Sequence, residues 1–116
     1  MLGDMLELGQ YSIDEHKRAG ETAAKLVDIL VTVGVRSRAT ADAALDAGMN
    51  SENIFQFEKS QEAGKFMESV IKPGDIVYIK GSQSIRMERA VKELMRHPEH
   101  AHKLLVRQDR HWLAKK

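Results

Sequence analysis

The chain has 116 residues, of which 42% are hydrophobic and 30% charged, with a formal net charge of +1 and no cysteine. This length suits one domain with a real core, and the near-neutral charge gives no indication of a nucleic-acid partner. No apolar run approaches the roughly 20 residues that cross a bilayer, and the lack of cysteine excludes disulfides and thiolate metal sites. We therefore expect a cytoplasmic domain that binds neither nucleic acid nor membrane.

Short apolar runs rich in β-branched residues predict strands at residues 29–34, 53–58 and 75–81, and residues 1–3 resemble the end of another strand. The third run is almost continuously apolar, which indicates a strand covered on both faces. Between the strands, apolar residues at helical spacing predict helices that begin at Ser12, at about Arg36, after Ser60 and at about Ile85. Ser12 and Glu15 also have the spacing of a capping box.

The C-terminal stretch is basic and carries most of the histidines of the chain. Its apolar residues have helical spacing, which predicts one last helix after Pro98 that includes Ala101, Leu104, Leu105, Gln108 and Trp112. The histidines at positions 97, 100 and 102 do not have the spacing of a standard metal site, so no metal ligand is predicted.

Alternating strands and helices predict a three-layer α/β fold. We expect a mainly parallel, Rossmann-like sheet of about four strands with flanking helices and an extra C-terminal helix. In such sheets ligands bind beyond the carboxyl ends of the strands. Those ends are predicted at Gly3-Asp4, Gly34, Phe57-Glu58 and Lys80-Gly81.

Asp4 is the first candidate site residue, because it follows the first predicted strand between two glycines. Its carboxylate can accept hydrogen bonds from a hydroxyl or an ammonium group of a ligand, or help to hold a metal-bound water. The alternative is a structural role, in which Asp4 caps backbone amides of its own loop.

A second candidate site follows the third predicted strand. Lys80 can supply a positive charge, Gly81 allows close approach of the backbone, and Ser82 and Ser84 offer hydroxyls before a helix that favours an anion. Arg86 in a first helical turn would oppose the helix dipole, which is easier to understand if it serves an anionic ligand or partner. The alternative is an ordinary serine-capped helix.

His16 lies on the small-residue face of the first predicted helix. Such a position favours an interior, hydrogen-bonded histidine, and the alternative is a histidine at a domain interface or at the substrate edge. Glu7 is a second candidate interface residue. The chain contains neither a Gly-Lys-Ser/Thr phosphate loop nor a Gly-x-Gly-x-x-Gly motif, so we predict no catalytic residue within it.

Several short runs of residues along the chain resemble those of a known protein family. The run from Gly3 to Gly9 reads Gly-Asp-Met-Leu-Glu-Leu-Gly, and with residues 16–20 it is similar to the C-terminal domain of Mur ligases. Leu30 to Gly34, Lys72 to Asp75, and Lys80 to Ser82 with Met87-Glu88 follow in the order and spacing of the family. The members that add D-alanyl-D-alanine to UDP-N-acetylmuramoyl-tripeptide are the most similar.

The resemblance implies the third domain of an ATP-dependent ligase of peptidoglycan precursor synthesis. In that family, ATP and magnesium are held mainly by a central domain, and the third domain completes the site for the incoming amino acid or dipeptide. The implied partners are the N-terminal and central ligase domains, UDP-MurNAc-tripeptide, D-Ala-D-Ala and ATP. It implies that Asp4, Lys80, Gly81, Ser82, Ser84 and Arg86 line the edge that faces ATP and the dipeptide, and that this chain alone is inactive.

Two departures from the family pattern qualify this resemblance. Gln83 and Ile85 stand where the family usually has arginine and methionine, and an earlier strand with an Asn-Ala-Asn-Pro turn is not present. We therefore expect residues 1–96 to form the third domain without its first strand, and residues 97–116 to form a helical extension. The exposed edge should either associate with another copy or be covered by the C-terminal segment. The alternative function is a non-catalytic, flavodoxin-like module that binds a small anion or a protein.

Overall fold

A computed structural model describes residues 1–115 and confirms the α/β fold. Three parallel strands form the sheet, β1 (Leu2–Gly3), β2 (Leu30–Val33) and β3 (Ile54–Phe57). The helices are α1 (Ser12–Leu26), α2 (Arg38–Asp46), α3 (Ser60–Val70), α4 (Glu88–Leu94), α5 (Ala101–Leu104) and α6 (Arg110–Leu113). Across residues 1–115, no helix is both long and apolar enough to span a membrane.

The sheet has the order β1-β2-β3, so the middle strand, β2, is buried along its whole length. Its residues alternate between the two faces of the sheet. Val31 and Val33 pack on the side of α3 and α4, whereas Leu30 packs on the side of α1 and α2. This arrangement gives the expected layer of helices on each face and places the carboxyl ends of the strands at one edge.

The predicted strand at residues 75–81 is not regular. Lys80 forms a single parallel bridge with Leu2, in which Lys80 donates its amide to the Met1 carbonyl and accepts from the Gly3 amide, at 3.1 and 2.7 Å. The expectation of cover on both faces is wrong, because Ile76 is 96% exposed and Tyr78 is 63% exposed. The segment therefore runs along the edge of the sheet beside β1.

Helices α1 and α2 approach each other closely at Gly20. A β-carbon built on Gly20 would lie 2.1 Å from the Thr40 carbonyl oxygen and 3.0 Å from the Ala43 side chain. No larger residue fits at this crossing, so glycine sets the distance between the two helices that cover one face of the sheet.

Two predicted helix starts need correction. The capping box at Ser12 does not form, since the Ser12 hydroxyl lies 3.5 Å from His16 Nδ1 instead of bonding to a backbone amide. Helix α4 begins at Glu88, after a short 3-10 turn at Gln83–Ile85. Arg86 is therefore not in a first helical turn; it links the two elements in the left-handed conformation, with φ of 59°.

The predicted single C-terminal helix is also interrupted. Helices α5 and α6 are single turns separated by an irregular stretch in which Arg107 has a φ of 60°. This segment contacts Arg86 and Arg89, at the end of the sheet that carries the candidate site. It does not cover Ile76 and Tyr78, so the expectation that the segment shields that edge is wrong.

Candidate functional site at the strand ends

The four predicted strand ends meet at one edge of the sheet. The Asp4 amide donates to the Val33 carbonyl at 3.0 Å, and the Gly34 amide donates to the Phe57 carbonyl at 2.8 Å. The bridge between Leu2 and Lys80 adds the fourth end. The loops that follow the strands are consequently neighbours, as the topology of a parallel sheet requires.

Asp4 is buried, with 4% of its surface exposed. Its Oδ1 accepts a hydrogen bond of 2.7 Å from the amide of Ser37, which stands just before α2. The role is structural, but the amide that the carboxylate satisfies lies near the start of α2 and not in the loop of Asp4 itself, where the sequence alternative had it. A direct contact between Asp4 and a ligand stays a prediction.

Gly34 is required beside this carboxylate. Its φ is +106°, and a β-carbon there would lie 2.4 Å from Cγ of Asp4 and 2.5 Å from both of its carboxylate oxygens. Glycine alone accepts that backbone conformation without strain and leaves room for Asp4. The position after β2 therefore has to be glycine so that the side chain of Asp4, which follows β1, can be accommodated.

Ser82 ties the loop after Lys80 to the loop after β1. Its amide donates to the Asp4 carbonyl at 2.9 Å, and its hydroxyl accepts from the Leu6 amide at 2.8 Å. These two bonds hold the backbone on both sides of Met5. The hydroxyl that was predicted to contact a ligand thus has a structural partner already, and its contact with a ligand stays a prediction.

His16 is 1% exposed and lies under the same loop. Its Nε2 accepts from the Met5 amide at 3.0 Å, so its Nδ1 carries the proton and donates to the Ser12 carbonyl at 2.6 Å. The interior, hydrogen-bonded reading fits this geometry. Glu7 is exposed in the same loop, with a φ of 64°, and its part in a domain interface stays a prediction.

In the loop that begins at Lys80, the exposed residues are Lys80, Gln83 and Ser84, so these are the ones accessible to a ligand. Lys80 also lines a cavity of about 390 Å³ together with Gly81, Ser82 and Arg107. The edge can therefore offer an ammonium group, a hydroxyl and an amide to an anionic or polar ligand.

Arg86 is 3% exposed, and each guanidinium nitrogen has a protein acceptor. Nε donates to Glu88, while the terminal nitrogens donate to the carbonyls of Trp112 and Arg107, the latter at 3.4 Å. The sequence did not indicate these partners, which come from the C-terminal segment. Contact between Arg86 and a ligand would require them to separate, and it stays a prediction.

Sequence reasoning missed three residues of this region, namely Ser37, Arg107 and Trp112. Ser37 gave little signal, because it follows the predicted helix start at Arg36 and because its backbone amide, not its hydroxyl, bonds to Asp4. Its hydroxyl is buried without a hydrogen-bond partner in the described part of the chain. Arg107 and Trp112 carried no signal, since their distance along the chain from Arg86 hides the contact.

Magnesium does not fit the residues of this edge. The Asp4 carboxylate is buried and bonded to Ser37, and residues 1–115 contain no group of three histidine, aspartate or glutamate side chains placed to hold a metal. The edge also has no phosphate-binding loop in its sequence. What its exposed side chains can do chemically is offer positive charge and hydrogen bonds that orient a polar or anionic group.

Comparison with known proteins identifies the family of this chain. Residues 1–83 match the family model described as Mur ligase, glutamate ligase domain. The chain is 35% identical over 89 residues to a UDP-N-acetylmuramoyl-tripeptide--D-alanyl-D-alanine ligase of Mycobacterium leprae, covering 73% of the chain and 17% of that protein. It is 26% identical over 99 residues to the ligase of the same name from Bacillus subtilis, covering 84% of the chain and 21% of that protein.

No solved structure matches the chain significantly. The chain spans about a fifth of the length of the curated relatives that it matches. The family model nevertheless covers most of the chain, including β1, β2, β3 and the loop from Lys80 to Ser82. The chain therefore belongs to the Mur ligase family, in which it corresponds to the glutamate ligase domain.

Proposed function

We propose that this chain is the C-terminal, substrate-binding domain of an ATP-dependent ligase that adds D-Ala-D-Ala to UDP-MurNAc-tripeptide. The observation that carries the proposal is the family match over residues 1–83, joined to two relatives that share the name of that ligase. In this role the domain works with N-terminal and central ligase domains in the cytoplasm. ATP and magnesium are held mainly by the central domain.

The contribution of this domain is to position the incoming dipeptide and to close the site. Exposed Lys80 and Ser84 stand at the strand ends, where a parallel sheet binds its ligands. The ammonium group of Lys80 suits a phosphate or the carboxylate of D-Ala-D-Ala. Asp4, Gly34 and Ser82 hold the loops that present these groups. The chain alone is expected to neither hydrolyse ATP nor ligate.

A non-catalytic module that binds a small anion or a protein is the alternative function. The same strand ends would suit it, because the exposed Lys80 carries a positive charge at the cavity edge. The two functions can be distinguished by mutation. A change at the site of a ligase domain alters the kinetics of amide-bond formation, whereas a change at the site of a non-catalytic module does not.

Steady-state kinetics of the full-length ligase that carries this domain tests the proposal. Lys80→Ala should raise the Michaelis constant for D-Ala-D-Ala or for ATP about tenfold, which corresponds to the loss of roughly 1.4 kcal/mol of binding. Lys92→Ala, which removes an exposed lysine of α4, is the matched control and should leave both constants unchanged. Equal kinetics for the two folded variants would remove Lys80 from the site and favour the alternative.

A further inference from the structure

The C-terminal segment from Leu105 to Lys115 lies beyond the residues that match the family. Its apolar side chains are incompletely buried, since Leu105 and Trp112 are half-buried, Val106 is 67% exposed and Leu113 is 57% exposed. Its helical structure is the single turn of α6, which is capped by the Asp109 carboxylate on the Trp112 amide at 3.1 Å. Burial of these half-exposed side chains is therefore not enough to fix the segment in place.

Arginine side chains of the preceding loop and helix hold the segment instead. Arg86 donates to the carbonyls of Trp112 and Arg107, and Arg89 donates to the carbonyl of Lys115. The Trp112 ring lies near three cations, with Lys115, Arg107 and Arg86 at 4.0, 4.9 and 5.4 Å from its centroid. The attachment is thus polar and local, and it is concentrated on Arg86.

We propose that this segment is a movable strap at the strand ends and that Arg86 is its latch. The strap, together with Leu104, lines the cavity of about 390 Å³ whose opposite side is the loop from Lys80 to Gln83. Opening the strap removes one wall of that cavity and frees the guanidinium of Arg86. Glu88 remains bonded to Arg86 in either state and keeps the side chain oriented.

An oxyanion and the strap compete for the same donors. A carbonyl oxygen carries a partial charge, whereas a phosphate or carboxylate oxygen carries a formal charge and makes the stronger bond with a guanidinium. Binding of an oxyanion to Arg86 therefore favours the open strap, and by reciprocity an open strap strengthens oxyanion binding. This linkage does not depend on the proposed ligase role, because it involves neither ATP turnover nor peptide.

Trp112 is the only tryptophan of the chain, so its fluorescence reports the strap directly. Arg86→Gln should raise the acrylamide quenching constant of Trp112 about twofold or more, because the latch is lost. The amide of Gly34, bonded to Phe57 in the core, should keep its hydrogen-exchange protection. Arg96→Gln removes an exposed arginine outside the strap and should behave as the wild type.

Two further arms keep the test decisive. If Arg86→Gln lowers the hydrogen-exchange protection of the Gly34 amide, the quenching experiment is done with Asp109→Ala in its place. Loss of the α6 cap loosens the strap and leaves the Arg86–Glu88 pair intact. Inorganic phosphate should raise quenching in the wild type above chloride at the same ionic strength, and should have no added effect in Arg86→Gln. Unchanged quenching in folded variants would show that the segment is fixed, and equal effects of phosphate and chloride would refute the competition.

Discussion

The carboxylate of Asp4 shows how one residue at a strand end organises several loops. Asp4 accepts from the Ser37 amide through its side chain and from the Ser82 amide through its backbone. The sequence indicated a carboxylate at the end of the first strand, and Asp4 does follow β1 there; its contact with a ligand stays a prediction. Its burial could not be read from the sequence, because the amide of Ser37 reaches it only after α2 packs onto the sheet.

Gly34 offers a direct test of the crowding around Asp4. Gly34→Ala should lower the free energy of unfolding by about 1–3 kcal/mol more than Gly74→Ala, the cost of forcing a methyl group into a packed site. Both glycines have positive φ, +106° and +93°, but a β-carbon at Gly74 meets no atom within 4 Å. Denaturant unfolding of the two variants measures the difference, and equal losses would show that Asp4 does not restrict position 34.

The amino terminus predicts a pH dependence. Burial lowers the pKa of the Met1 amine from 8.0 to about 6, while the amine donates to the Tyr78 carbonyl at 2.7 Å. Between these values the unfolded chain binds the extra proton, so stability should rise as pH rises from about 6 to 8, by on the order of 1–3 kcal/mol. Thermal unfolding across this range measures it, and an acetylated amino terminus should remove this contribution; the same slope after acetylation would assign it elsewhere.

At the level of elements, the segment before Gly81 shows what an apolar pattern leaves undecided. Its residues have strand propensity, but only Lys80 forms a bridge with β1, and Ile76 and Tyr78 stay exposed. Burial on both faces requires a neighbour on each side, which a local pattern cannot report. The free edge leaves open the self-association that the sequence suggested, and this stays a prediction.

The interrupted C-terminal helix has a related cause. Helical spacing of Leu104, Leu105, Gln108 and Trp112 predicts continuity, yet Arg107 adopts a positive φ and its carbonyl accepts from Arg86. A continuous helix would have engaged that carbonyl in its own hydrogen bonding. The interruption therefore frees an acceptor for a buried guanidinium, a requirement set by a residue far along the chain.

Removal of the C-terminal segment should destabilise the domain through Arg86. A chain that ends at His97 loses the hydrogen bonds from the Arg86 guanidinium to two carbonyls, and the net contribution of such charged hydrogen bonds is about 1.5–3 kcal/mol. For a domain of this size, each kcal/mol lowers Tm by roughly 4–8 °C. Thermal unfolding measures the change, and an unchanged Tm would show that the segment stabilises nothing.

On the scale of the whole molecule, strand and helix alternation was enough to predict the three layers and the shared edge of strand ends. The hydrophobic periods of α1 and α3 were enough because each helix buries one face, and the apolar run of β2 was enough because that strand is covered on both faces. The exposure of the Lys80 side chain and the burial of the Arg86 side chain depend instead on packing between residues that are far apart in the chain. The family resemblance carried by the runs from Gly3 to Ser82 is confirmed by the match over residues 1–83.

We propose that these strand ends receive the dipeptide of a ligase reaction. The most direct test is an NMR titration of the ¹⁵N-labelled chain with D-alanyl-D-alanine, with L-alanyl-L-alanine as the matched control. We predict saturable shifts of the amides of Asp4, Gly34, Lys80, Gly81 and Ser82 with the D-dipeptide alone, and their loss in Lys80→Ala. Shifts that lie away from these strand ends, or that are equal for both dipeptides, would contradict the claim.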